Sequence, residues 1–156
     1  MTIRQATERD IPRIGELLWQ VCRVHQRGRP DIFRDGARKY DDDQLRALLQ
    51  NESRPILVAV DEEDRVLGYV FGAIQQADSH PGLMPVRTLY IDDLCVDEQC
   101  RGQHVGTALY DAMVALARAR GCYNLTLHVW NCNPAAMRFY EARGLKCRQM
   151  EMETIL

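Results

Sequence analysis

Apolar positions change rhythm several times along the chain, and the changes predict its elements. Ile3 to Ala6 alternates and reads as a first strand. Thr7 then stands as an N-cap with Asp10 three positions on. Ile11, Ile14, Leu17, Leu18, Val21 and Val24 follow at helical spacing, which predicts a helix to about Gln26. Arg27 to Gly36 holds two glycines and a proline and is expected as a loop. A second helix is predicted from the Asp41–Asp43 cluster, carrying Leu45, Leu48 and Leu49. Pro55 to Val60 and Val66 to Gln75 are strand-like and joined by the acidic turn Asp61 to Asp64.

The second half repeats the switch. Ala77 to Pro85 reads as a loop, and Val86 to Val96 as a strand covered on both faces. Val105, Leu109, Ala112, Met113, Leu116 and Ala119 fall on one helical stripe that Gly121 ends. Leu125, Leu127 and Val129 alternate with Thr126 and His128 as a further strand. Asn133 to Ala142 is a short helix ended by Gly144, and the tail Leu145 to Leu156 returns to a strand-like pattern. The predicted order is β-α-α-β-β-β-α-β-α-β, an α/β mixed sheet with helices on its faces. The strand–helix–strand unit around 88–129 predicts a parallel pair with a right-handed crossover.

Composition narrows the classes. With 156 residues, 46% apolar and 27% charged, one domain over 1–156 suffices, and no repeat or linker divides it. A net charge of −2 gives no basic field for nucleic acid or an anionic membrane. The polar start MTIRQATERD lacks the apolar stretch of a secretory signal, and no run reaches the length of a membrane span. A soluble, cytoplasmic domain is therefore expected. Cys22, Cys95, Cys100, Cys122, Cys132 and Cys147 form no C-x-x-C pair and have no histidine at ligand spacing. Free thiols and no metal are expected.

The chemistry concentrates between Leu94 and Thr107, at the passage from a strand to an amphipathic helix. A helix N-terminus offers unpaired N–H groups and a partial positive charge, which together suit phosphate oxygens. Gly102 and Gly106 let the backbone approach an anion closely, and Arg101 adds a permanent charge. The segment is not a P-loop, because Gly106-Thr107-Ala108 lacks the lysine, and it has no G-x-G-x-x-G. An ordinary strand–helix turn with two glycines is the plain alternative.

Arg101-Gly102-Gln103-His104-Val105-Gly106 resembles the coenzyme A signature R/Q-x-x-G-x-G/A of the GNAT superfamily of N-acetyltransferases, with His104 at its central glycine. Asn133-Pro134-Ala135-Ala136-Met137-Arg138-Phe139-Tyr140-Glu141-Ala142-Arg143-Gly144-Leu145 is similar to that family's second segment, N-x-x-A-x-x-F-Y-x-x-x-G-F/L. The resemblance follows the element order from residue 3 to 156 and is sharpest over 90–145. It implies a largely antiparallel central sheet with one parallel pair, helices on both faces, and acetyl-CoA as co-substrate.

By that resemblance, Gly102, Gln103, His104, Val105, Gly106 and Thr107 hold the pyrophosphate, with Arg101 flanking. Leu94, Cys95 and Val96 pair by backbone with the pantetheine arm, and the Val96 or Leu94 N–H polarises the thioester carbonyl. Asn133 contacts the pantetheine or phosphate region, and Tyr140 is the general acid. A phenol stays protonated at neutral pH and can donate to a departing thiolate. Asp92, then Asp93, is expected as the base; neighbours on a regular strand face opposite ways, so only one faces the amine. A structural reading stands beside each: Tyr140 as packed aromatic, an aspartate capping a turn or pairing with Arg87, and His104 as a surface substitution.

His25, His80 and His128 show no metal spacing. The loop Arg27 to Gly36 is where the family builds acceptor specificity, which makes Arg29-Pro30-Asp31-Ile32-Phe33 a candidate acceptor wall. The function expected is transfer of acetyl from acetyl-CoA to a primary amine of a small molecule or peptide, by direct attack in a ternary complex. A non-catalytic acyl-CoA-binding sensor is the rival class. Nucleic acid and membrane partners are not expected, while dimers are common among relatives.

Overall fold

The computed structural model describes residues 1–76, 82 and 84–156. Most of the loop expected over 77–85, with His80, lies outside them. Five strands form one sheet in sequence order: β1 (Thr2–Gln5), β2 (Ile56–Val60), β3 (Val66–Gln76), β4 (Arg87–Val96) and β5 (Asn124–Leu127). Pairing is antiparallel throughout except between β4 and β5, which run parallel. The mixed, largely antiparallel sheet with one parallel pair is thus observed.

Strand alternation divides the core in two. Ile56, Val58 and Val60 of β2 point to a cluster with Ile14, Leu17, Leu18 and Leu45, under α1 (Ile11–Gly28) and α2 (Asp42–Leu49). Ala59 of β2 and Val70 of β3 join Leu89, Val105, Leu109 and Met113 on the opposite face, under α3 (Val105–Ala119). The aromatic side chains of α4 (Pro134–Ala142) pack on that second cluster. Gly68 of β3 is needed at this layer, since a Cβ there would stand 2.7 Å from the Cys95 carbonyl and 3.2 Å from Leu109.

Local chemistry accounts for the helix starts. Thr7 donates its backbone N–H (2.7 Å) and hydroxyl (3.0 Å) to Asp10, closing the 3-10 turn Glu8–Asp10 that leads into α1. Asp10 is buried and also takes both guanidinium nitrogens of Arg4, at 2.8 and 2.9 Å. Burial works to raise its pKa, but Arg4 and Thr7 outweigh it and hold the carboxyl below its usual range. Asp41 caps α2 through the Gln44 N–H at 2.8 Å, with the Gln44 side chain reaching back. That accounts for the acids at 41–43.

Two expectations change. The tail 145–156 contains no strand, and its apolar positions Met150 (72%), Met152 (81%) and Ile155 (80%) face solvent. Alternation specifies which side of a strand is apolar, but supplies no edge to pair with. Leu145 alone in this stretch packs on the core, and Glu153 ion-pairs with Arg29 beyond α1. The fifth strand also stops at Leu127, short of Val129.

Candidate active site

The site forms where β4 is irregular on one edge and unpaired on the other. Along β3, Phe71 faces Asp93 and the next pair is Gly72 with Ile91, so Asp92 is an extra residue, a β-bulge. Ile91 and Cys95 are four positions apart and would share a face on a regular strand. Instead Ile91 lies in the α3-side core and Cys95 in the α1-side core. The bulge therefore turns Asp92 and Asp93 to the same side, that of α1 and α2, where a regular strand would have set neighbours on opposite faces. The other edge of β4 pairs with β5 only as far as Ile91 with Leu127. Past that point β4 and β5 are no longer paired, so the backbone of 92–96 has no strand partner on the β5 side.

A cavity of about 470 Å³ lies beside this unpaired stretch. Its wall includes Leu94, Cys95 and Val96 of β4, and Arg101, Gly102, His104, Val105, Gly106 and Thr107 at the start of α3. Asn133, Phe139 and Tyr140 of the α4 region close the far side. Gln103 is not among the lining residues; its amide bonds back to the Gln99 carbonyl at 3.4 Å. Val21 and Val24, the half-exposed end of the α1 stripe, complete the wall. Nothing in a core-spacing pattern separates such positions from ordinary packing, so they carried no functional signal in the sequence.

The α3 N-terminus differs from the others that meet solvent. No side chain caps it and its first turn holds no acid, whereas Asp41 caps α2 and Asn133 caps α4 through the Ala136 N–H at 3.2 Å. Its N-cap, His104, has φ 62° and ψ 9°, and Gly102 has φ 77°. Both are left-handed, the region where glycine is unstrained and histidine costs about 1 kcal/mol. His104 therefore occupies its place by backbone conformation, and its side chain is exposed. Arg101 bonds the Val96 carbonyl at 3.4 Å. Arg143 also reaches the loop, with Nη1 3.4 Å from Thr107 Oγ1 and its guanidinium 5.9 Å from the Phe139 ring centre. It follows Phe139 by one helical turn, which would have placed the two on one side.

The two cavity-side groups with chemical potential are unlike. Tyr140 meets Phe139 (5.1 Å) and Tyr110 (6.4 Å) edge-on, and burial raises its phenol above the usual value. Cys95 turns its sulfur into the α1-side core, 3.5 Å from the Leu17 carbonyl. Burial pushes that thiol up to about 12, which removes it as a nucleophile.

The aspartates differ more. Asp92, its side chain 13% exposed, accepts from Lys39 Nζ at 2.8 Å and Tyr40 Oη at 2.5 Å, with Arg54 at 3.4 Å. Burial works to raise its pKa, but Lys39 and Tyr40 prevail and lower it. Asp93 accepts from the Tyr69 hydroxyl at 2.9 Å. Burial and the neighbouring Asp92 charge push it up to about 6, against the opposing pull of Lys39 and Tyr69. Its charge is also felt at Cys22 and Tyr140, which sets it on the α1 flank of β4 within electrostatic reach of the phenol. Neither aspartate lines the cavity itself.

Above this flank the segment after α1 crosses to the loop after β5. Phe33 meets Trp130 edge-on at 5.0 Å and His25 at 5.1 Å. Gly28 lies so close to Cys132 that a Cβ would stand 2.6 Å from its sulfur.

The sequence model of the Acetyltransferase (GNAT) family matches residues 16–145. A solved structure of a mutant form of the BH1408 protein from Bacillus halodurans is 33% identical, with a TM-score of 0.96 over 100% of this chain and 99% of that one. The probable N-acetyltransferase camello of Xenopus laevis is 34% identical over 89 residues, 56% of this chain and 37% of the relative. Thialysine N-epsilon-acetyltransferase of Bos taurus is 34% identical over 58 residues, 37% of this chain and 34% of the relative. The matched stretch thus spans about a third of the length of these curated relatives.

Proposed function

The chain belongs to the Acetyltransferase (GNAT) family, and from that premise we propose that it transfers acetyl from acetyl-CoA to the primary amine of a small molecule, by direct attack in a ternary complex. The observation that carries the reading is the uncapped, acid-free N-terminus of α3 opening into a cavity beside the unpaired edge of β4. Bare N–H groups at a helix start suit a pyrophosphate, and a bare strand edge suits the two amides of pantetheine. Gly102 and His104 to Thr107 hold the phosphates, flanked by Arg101 and Arg143. The 92–96 edge aligns the thioester so that the Leu94 or Val96 N–H faces its carbonyl oxygen, and Asn133 borders the arm.

Attack requires a neutral amine, and Asp93 is the better placed base. A carboxyl near 6 is ionised at neutral pH yet holds a proton far more readily than Asp92, which Lys39 and Tyr40 keep ionised. As the C–N bond forms, the amine proton passes to Asp93, directly or through water. As the C–S bond breaks, Tyr140 donates to the sulfur. The burial that raises the phenol raises the proton affinity of the leaving thiolate as well, so the two remain matched. Solvent then returns the proton from Asp93 to Tyr140. The relative that acts on thialysine supports a small amine acceptor.

Thiol release from acetyl-CoA against a panel of small amines and peptides tests the reading. Amine-dependent release is expected, whereas tight acetyl-CoA binding with no turnover for any amine would establish a sensor instead. In the same assay Tyr140→Phe lowers kcat by about 10- to 100-fold with acetyl-CoA affinity kept. Unchanged kcat would remove Tyr140 from the mechanism.

A further inference from the structure

Asp92 and Lys39 lie at the centre of a side-chain network that the reaction above does not use. Lys39 Nζ bonds both the Asp92 backbone carbonyl (2.9 Å) and its carboxylate (2.8 Å). Tyr40, the next residue, bonds the other carboxylate oxygen, and Arg54 Nη2 meets the Tyr40 hydroxyl at 3.1 Å. Tyr40 also packs edge-on against Phe71, at 5.7 Å. Three separate pieces of chain therefore meet at one bulged residue: the segment before α2, the approach to β2, and β4. Phe71 is the residue that opposes Asp93 across the sheet.

A bulge leaves one residue without ladder partners, so its geometry must be fixed from elsewhere. The carbonyl of Asp92 is held by Lys39, and its side chain by Lys39, Tyr40 and Arg54. The direction in which Asp93 leaves the strand follows from the torsions of the residue so pinned. We propose that Lys39 and Asp92 are a positioning pair, which clamps the β4 bulge from the segment before α2 and thereby sets both the orientation and the electrostatic environment of Asp93. This inference rests on Asp93 being the base.

The pair acts on Asp93 with opposite signs, since the Lys39 charge favours its ionised form and the Asp92 charge disfavours it. The other titratable groups around it are Tyr69 from β3, Cys22 from α1, Cys95 and Tyr90 from β4, Tyr40 before α2, and Tyr140 from α4. All of these are neutral near pH 6, so Lys39 and Asp92 are the charges that tune it, with Arg54 behind Asp92. The segment that bears Lys39 does not line the coenzyme cavity.

The test is the pH dependence of kcat/KM for the best amine, each variant divided by wild type so that the titration of the amine cancels. Lys39→Met moves the lower midpoint up by about one unit, a loss of about tenfold at a pH near 5 and about twofold at neutrality. Asp92→Asn moves it down by about one unit, a gain of about fivefold at a pH near 5. Lys39→Arg, which keeps the charge, restores the wild-type midpoint. Acetyl-CoA affinity, measured by titration, stays constant in all three and reports that they are folded. Midpoints that stay put, or that move the same way in both variants, overturn the clamp. Asp92→Asn abolishing turnover at every pH overturns it too, by making Asp92 the base. Full activity in Asp93→Asn overturns the assignment of the base instead, and separates that failure from the first.

Discussion

The two flanks of β4 treat their polar groups in opposite ways. On the α3 side the helix start has no cap and the strand edge has no neighbour past Ile91 and Leu127. On the α1 side Asp92 is held by three side chains and Asp93 by a fourth. Backbone groups left bare beside a cavity are stable only where water or a ligand replaces the missing partner, which supports the proposed coenzyme site. Groups with every bond made are fixed in direction, which marks a place made for orientation. One strand serves both, because the bulge at Asp92 and the end of the pairing with β5 fall at the same level.

The largest effect expected from breaking this contrast is on the saturated side. Asp93→Asn keeps an acceptor for Tyr69 but removes the proposed base, and kcat falls by about 100-fold or more in the thiol-release assay. The same change raises stability. A folded-state pKa of about 6, above the usual carboxylate value, means that native Asp93 carries a penalty when ionised. The penalty is full above that pH and disappears as pH falls below the usual carboxylate value. Thermal melts should therefore show Asp93→Asn more stable by about 1–2 kcal/mol at pH near 8, and equal to wild type at pH near 3.

The bare side is broken by supplying the acid it lacks. A Cβ at Gly106 would meet Val96 and Phe139 at ordinary distances, 3.5 and 3.6 Å, so the backbone tolerates a side chain. Gly106→Glu then sets a carboxylate in the first turn of α3, against the phosphates, and raises the Kd for acetyl-CoA by about tenfold or more. Calorimetric titration at two salt concentrations checks it, and an unchanged Kd would remove the helix start from the binding site. The smallest effect sharpens the contrast. His104→Gly relieves a left-handed residue and stabilises the fold by about 0.5–1 kcal/mol, with acetyl-CoA affinity at neutral pH within about twofold of wild type. A clear loss of affinity would assign the imidazole a role of its own.

Much of the fold was legible because helix stripes and strand alternation report burial on a known period. The stripe from Ile11 to Leu18, the capping signal at Thr7–Asp10, the acidic helix start at Asp41–Asp43, and the switch to period two at Pro55 all correspond to elements within a residue or two. The tail shows where that logic stops, since its period-two pattern at Met150 and Met152 found no edge to join. The cavity wall was likewise legible where it is local, in Arg101 to Thr107 and Asn133 to Tyr140, because an uncapped helix start is a contiguous stretch. Val21 and Val24 were not, because each reaches the wall from a helix whose spacing also fits plain packing.

By itself the sequence determined a two-faced mixed sheet, the helix that presents its N-terminus, and the loop residues that keep it open. All of these are written in short-range period, capping and glycine placement. Only the tertiary structure gives Asp92 and Asp93 different environments. A bulge is a mismatch of register between two strands, so it has no signature in either strand alone. The ionisation of each aspartate is set by Lys39, Tyr40, Arg54 and Tyr69, which the fold brings in from distant parts of the chain.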